Sequence, residues 1–151
     1  MKVFYVCRTG HHTSLLAAAL HLGILTGKPG DARNIYSLPG FDNNSLNEIG
    51  KPFSVGRDDN STEVYTFGVS KENRLMIRAA SELISLIGIN PGEWHIIDTS
   101  HITSKWTIAG TTVKRVRLHT LSKVFLYLGA RKELTRLQNI LNVNNENTNN
   151  H

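Results

Sequence analysis

"FYVCRTGHHTSLLAAALHLG", residues 4–23, decides how this chain is read. The β-branched and aromatic run Val3 to Val6 predicts a buried strand, and a polar turn around Gly10, His11 and His12 follows it. Ser14 to Leu25 then predicts a helix capped by Thr13 or Ser14. Leu15, Leu16, Ala17, Ala18, Ala19, Leu20 and Leu22 make it apolar nearly all round, so it should pack on several sides. A strand, a loop with glycine and hydroxyls, and a helix N-terminus form a natural anion cradle, because free N–H groups and the positive end of the helix dipole face the loop. The expectation is that amides and hydroxyls of this first turn converge on a spot that negative charge fills.

Beyond it, Asp31 to Gly50 is a polar excursion that carries a short helix or serves as a lid. Phe53 to Val55 and Glu63 to Phe67 flank "GRDDNST" and predict a hairpin. Ser70 caps the next predicted helix, whose apolar positions run from Leu75 to Ile87 and which Gly88 ends. "EWHIID" predicts a third core strand. Ile102, Trp106, Ala109, Val113 and Val116 form one helical stripe, weakest at Gly110. "KVFLYLG", residues 123–129, reads as the last strand and Lys132 to Leu141 as the last helix. The predicted fold is α/β: one domain over residues 1–143, with a mainly parallel sheet of about four to five strands, helices on both faces and an antiparallel hairpin strand at one edge. The asparagine-rich residues 144–151 read as a disordered tail.

Composition narrows the function classes. The chain has 151 residues, 40% of them hydrophobic, which suits one globular domain. It contains no apolar run of about eighteen residues and no signal-peptide pattern at its start, so a cytoplasmic protein without membrane partners is expected. A single cysteine, Cys7, excludes an internal disulfide and a CxxC zinc site. The net charge of +5 favours anionic partners. Nucleic acid is not favoured among them, because no aromatic residue interleaves the basic run Lys114, Arg115 and Arg117, which reads as a solvated helix face. A non-catalytic interaction or RNA-binding protein that uses that basic face is the alternative from another class.

Ligands of such sheets sit at the carboxyl ends of the strands. There the sequence delivers "CRTGHHTS", Gly68, then Asp98, Thr99 and Ser100, and finally Gly129, Arg131 and Lys132. In the leading reading the ligand is a phosphorylated small molecule or a nucleotide, held by Gly10, His11, Thr13, Ser14 and Thr99. His12 orients the anion or acts as acid/base, Asp98 holds a metal such as magnesium or a water, and Arg131 neutralises charge from the far side. The loop is similar to the phosphate loop of nucleotide-hydrolysing proteins, and "WHIID" to their acid-tipped strand, but the lysine of that loop is absent: His12, Thr13 and Ser14 stand at its end. No dedicated metal site is read here, since His11, His12 and His21 lack an acidic partner at ligand spacing.

The same stretch is similar to the phosphocysteine loop of the B subunits of sugar phosphotransferase systems, mapping onto Cys7, Gly10, Thr13 and Ser14. Cysteines at helix N-termini are favoured nucleophiles, so Cys7 is a candidate phosphoryl carrier. Low-molecular-weight tyrosine phosphatases place an arginine six positions after such a cysteine; Thr13 stands there, which sets that reading aside. Structural alternatives stand beside each residue: Cys7 as a small buried side chain, His11 and His12 as turn residues, Asp98 as a helix cap, His95 as structural, Trp94 and Trp106 as core anchors.

Taken together, "FYVCRTGHHTSLLAAALHLG", "SLPGFD", "GRDDNSTEVYTFGV" and "IIDTS" give the chain, to about Leu141, a resemblance to an uncharacterised family of small Firmicutes proteins, the domain of unknown function numbered three-one-eight-nine. The family's Gly-x-His-x-Ser/Thr loop maps onto Gly10, His12 and Ser14, whereas cysteine is not constant where Cys7 stands. After "DTS" the chain departs from the family's "IGG" and Gly-Arg-Pro segments, carrying "IAGTT" and "LSK" instead. The resemblance implies the architecture and the loop, and leaves the reaction open.

Overall fold

The computed structural model describes residues 1–42, 49–70, 72–115 and 118–148. Its sheet has four strands in the order β2-β3-β1-β4: β1 (Lys2–Cys7), β2 (Phe53–Arg57), β3 (Glu63–Gly68) and β4 (Trp94–Asp98). β1 pairs parallel with β3 and β4, and β2 pairs antiparallel with β3, as a hairpin closed by the Asp58–Thr62 turn requires. The parallel core and the edge hairpin are therefore as the sequence predicts. β4 is not a central core strand: it forms an edge, and its His95 and Ile97 are exposed.

Alternation along β1 sends Val3 and Tyr5 to one side and Phe4 and Val6 to the other. The first side is the main core. There α1 (Thr13–His21) packs with Leu15, Leu16, Ala17, Ala18 and Ala19 buried, together with Val64, Ile35, Leu134 and Leu137. The run of alanines lets α1 lie close to the sheet. Ile35, Leu38 and Phe41, from the stretch read as an excursion, join this core beside two short 3-10 turns, Pro29–Arg33 and Ile35–Ser37. Residues 43–48 lie outside the described residues. The other side of the sheet carries α2 (Asn73–Leu86). Its start differs from the reading, since Ser70 sits before the helix at φ 59°, Glu72 is the N-cap and no side chain caps it.

The second half departs most. α3 (Lys105–Arg115) runs unbroken through Gly110, where a Cβ would lie 2.9 Å from Leu126 Cγ; the missing side chain admits the neighbouring helix. Its buried face is Ser104, Thr107 and Gly110, and Trp106 is 43% exposed, stacked on Phe125. "KVFLYLG" is not a strand but part of the single helix α4 (His119–Thr148). Leu126, Ala130, Leu134 and Leu137 bury one helical stripe, a period that a strand does not show. The expected helix from Lys132 is the middle of α4. The asparagine-rich stretch continues α4 to Thr148, and 149–151 lie outside the described residues. Among the described residues, no helix is long and apolar enough to cross a membrane.

Candidate functional site

The loop between β1 and α1 brings Cys7, Arg8, Thr9, Gly10, His11 and His12 to the carboxyl end of the sheet's inner parallel strand. Gly10 takes φ 81°, and a Cβ there would lie 2.7 Å from the Gly68 amide nitrogen; a Cβ on Gly68 would lie 2.9 Å from Thr9 O. These two glycines let the loop rest on the end of β3. The freedom of Gly10 is thus spent on backbone packing, not on the approach of an anion.

The loop's polar groups largely face inward. Gly10 N–H donates to Cys7 Sγ at 3.2 Å, and Ser14 Oγ lies 3.1 Å from the same sulfur, with Thr9 Oγ1 at 3.8 Å. Thr13 Oγ1 donates to Glu133 Oε2 at 2.9 Å and also meets Thr103 Oγ1 at 2.9 Å. Thr13 and Ser14 are fully buried. The expected cradle of hydroxyls is therefore corrected: both hydroxyls bind the protein's own interior. At the first turn of α1 the N-cap, His12, supplies no side-chain cap.

Glu133, fully buried on α4, organises this region, and sequence reading missed it. Its Oε1 accepts from Ser104 N–H at 2.7 Å and from the Thr107 hydroxyl, while Oε2 takes Thr13. One carboxyl thus ties the starts of α1 and α3 to α4. Burial pushes its pKa up, and these three donors act against that. Ser104 also caps α3, accepting from Thr107 N–H at 3.2 Å.

A pocket of about 100 Å³ opens beside the loop, lined by Cys7, Arg8, Thr9, His12 and Thr13 from the first segment and by Thr103, Thr107, Ile108, Thr111 and Thr112 from α3 and the turn before it. Arg8 is exposed there, a cation at the pocket that sequence reading did not single out. A larger cavity of about 640 Å³ lies around Met1, Lys2, Arg57, Glu63 and Trp94, at the amino ends of the parallel strands. Lys2 and Arg57 there both pair with Glu63. The smaller pocket is the better candidate because it holds the helix start and the cysteine.

The other expected residues divide. Thr99 is buried, its hydroxyl donating to Val6 O at 2.8 Å, so it braces β1 and does not face the pocket. Asp98 Oδ1 accepts from Ser100 N–H at 2.8 Å, a local turn bond ahead of the 3-10 segment Ser100–Ile102, whose N-cap is Thr99, and Asp98 does not line the pocket. Arg131 is exposed on α4 and does not line the pocket, since the segment read as a strand leading to it is helical. Lys114 is not on a free solvated face: its Nζ donates to Asp42 Oδ1 at 2.8 Å and Asp42 O at 3.0 Å. The side chain of Arg115, and all of Arg117, lie outside the described residues.

His11 and His12 are buried, with rings 4.4 Å apart. His11 Nδ1 donates to Thr9 O at 2.9 Å, and His12 Nδ1 meets Thr9 Oγ1 at 3.0 Å. Burial, then the neighbouring His12, pushes His11 down to about 4. Asp42 supplies the acidic partner that sequence spacing did not reveal, with Oδ1 3.5 Å from His12 Nε2. Burial works to raise its carboxyl, but the contacts from His12 and Lys114 hold it below the usual carboxylate range.

His21 does not join this pair. It bridges Tyr5 Oη at 2.9 Å and Asp58 Oδ2 at 3.2 Å, tying the end of α1 to the hairpin turn.

Residues 2–145 match the family described as protein of unknown function, DUF3189. No curated protein and no solved structure matches the chain. With nearly the whole sequence inside that match, the chain belongs to the DUF3189 family.

Proposed function

We propose that this protein binds the phosphate end of a small molecule in the pocket between the first loop and α3, and passes the phosphoryl group to Cys7. The observation that carries the reading is the presence of one sulfur, one arginine and the start of α1 on a single small pocket. Helix starts favour anions through their unpaired N–H groups, and Arg8 adds a planar donor suited to phosphate. The size of about 100 Å³ suits a phosphoryl group and its immediate neighbours; sites that bury whole drug-sized ligands span about 300–1,000 Å³. The nucleotide version therefore narrows to a ligand whose larger part stays outside.

The transfer balances without a further reactant. The Cys7 sulfur attacks phosphorus, the bond from phosphorus to the leaving oxygen breaks, and the alcohol departs with the proton the thiol gives up. Gly10 N–H and Ser14 Oγ hold the sulfur at the pocket wall. Water then hydrolyses the thiophosphate, or a second acceptor takes the group.

Melting temperature is measured against inorganic phosphate and a panel of phosphomonoesters, with and without magnesium, and intact mass is read after exposure to each ester. Saturating ligand at about 100 times Kd stabilises by about 2.7 kcal/mol. Arg8→Ala should lose the shift. Cys7→Ser should keep the shift and lose the mass gain of one phosphoryl group. Absence of any shift with every ligand overturns the pocket, and a shift without mass gain in the wild type overturns the transfer.

A further inference from the structure

We infer that His11, His12 and Asp42 form a binding site for one divalent transition-metal ion of the zinc class. One ligand atom from each side chain lies within 4.8 Å of the other two. Both histidines are more than nine-tenths buried, so the cluster is part of the protein's interior and not a chance meeting of surface groups.

The hydrogen bonds around the cluster orient it for a cation. A carbonyl oxygen only accepts, so the 2.9 Å contact with Thr9 O makes His11 Nδ1 the protonated nitrogen and leaves Nε2 with the lone pair. This is the backbone bond that commonly fixes the tautomer of a metal-bound imidazole. Thr9 holds His12 Nδ1 as well, through its hydroxyl. His12 Nε2 is buried and has no hydrogen-bond partner among the described residues, although Asp42 Oδ1 stands 3.5 Å away. Buried polar atoms without partners are rare and need a reason. A metal ion between these groups supplies one, taking the nitrogen and a carboxylate oxygen at the same time.

Two imidazoles and one carboxylate select the class. Zinc, cobalt, nickel and iron(II) accept that donor set, whereas magnesium and calcium prefer oxygen alone. Three protein ligands leave a further position on the ion for water or a small anion. Lys114 orients Asp42 and also competes for its charge, since an ammonium 2.8 Å from Oδ1 weakens that carboxylate as a ligand. The cluster lies next to the proposed phosphate pocket, with His12 lining both, yet the metal site does not depend on that reading.

The test needs no phosphate ligand. Protein freed of metal with a chelator is titrated with Zn²⁺ by calorimetry and with Co²⁺ by visible absorption, Mg²⁺ serving as control. One equivalent should bind, with the Co²⁺ spectrum showing nitrogen ligation, and Mg²⁺ should not compete. His11→Asn, His12→Asn and Asp42→Asn keep side-chain polarity, and His11→Asn can keep the donor to Thr9. Each should weaken binding at least about tenfold while circular dichroism stays unchanged. Lys114→Met should tighten it. A protein that takes up no Zn²⁺, or whose binding is indifferent to all three asparagine variants, overturns the site; in the second case the exposed His95 and His101 are the natural adventitious ligands.

Discussion

The two faces of the sheet are built to different standards. On the α1 side, Val3, Tyr5 and Val64 meet Leu15, Leu16, Ala18, Ile35 and Leu134 in one continuous buried core. On the α2 side, Phe4, Val6, Phe67 and Ile96 face Ile77, Ala80 and Ile84 across an apolar gap of about 170 Å³. Leu75, Leu83 and Leu86 of α2 stand 65%, 60% and 83% exposed. Small alanines and four contributing segments close the first face, while a single amphipathic helix leaves the second partly open. The candidate site stands on the closed face, where Glu133 fastens three helices around it.

The largest test of this contrast removes that fastener. Glu133→Ala strands the Ser104 amide, takes one partner each from the buried Thr13 and Thr107 hydroxyls and leaves a cavity, and should cost about 3–5 kcal/mol in urea unfolding. Glu133→Gln, which retains an acceptor for Ser104 and Thr107, should cost clearly less. A loss under about 1 kcal/mol for Glu133→Ala would show that water replaces the carboxylate. Next comes a matched pair of leucines. Leu16→Ala, at a fully buried position, should destabilise by about 3 kcal/mol. Leu83→Ala on α2 should stay within about 0.5 kcal/mol. Equal losses at the two sites would remove the distinction between the faces.

Much of this was legible in the sequence, for local reasons. The β1–loop–α1 unit, the hairpin and β4 each announce themselves through a short apolar run bounded by turn residues. "KVFLYLG" misleads because its five consecutive apolar, bulky residues, Val124 to Leu128, suit a buried strand and a helix segment equally well. Only the longer stripe from Leu126 through Leu137 separates the two. The error also misplaced Arg131, which depended on that strand.

At the site, Cys7, His12 and Thr13 do line one pocket, whereas Asp98 and Thr99 serve the backbone around them. Neither Glu133 nor Asp42 was readable. Each acts on residues far away in sequence, Thr13 for the first and His12 for the second, and nothing local marks an acid for such a distant partner.

Smaller effects sharpen the site itself. Gly10→Ala puts a side chain at φ 81° and against Gly68, and should cost about 2 kcal/mol by chemical unfolding. A cost no larger than that of an exposed glycine such as Gly88 would show that the loop does not rest on β3. The pH dependence of stability is expected to carry the mark of His11. Its folded value is lowered to about 4 from the ordinary 6.5. Between these values the unfolded chain takes up a proton that the folded chain refuses, so this contribution is complete above 6.5 and falls away as pH drops toward 4. A shift of this size corresponds to about 3 kcal/mol. In chelator-containing buffer, the difference between wild type and His11→Asn should display that slope, and a flat difference would place His11 in solvent.

The most direct measurement follows backbone amide resonances during titration with inorganic phosphate. The proposed pocket predicts saturable shifts concentrated at Arg8 to Ser14 and at Thr103 to Thr107, and their loss in Arg8→Ala. Shifts scattered over exposed lysines and arginines, or none at the start of α1, would contradict it.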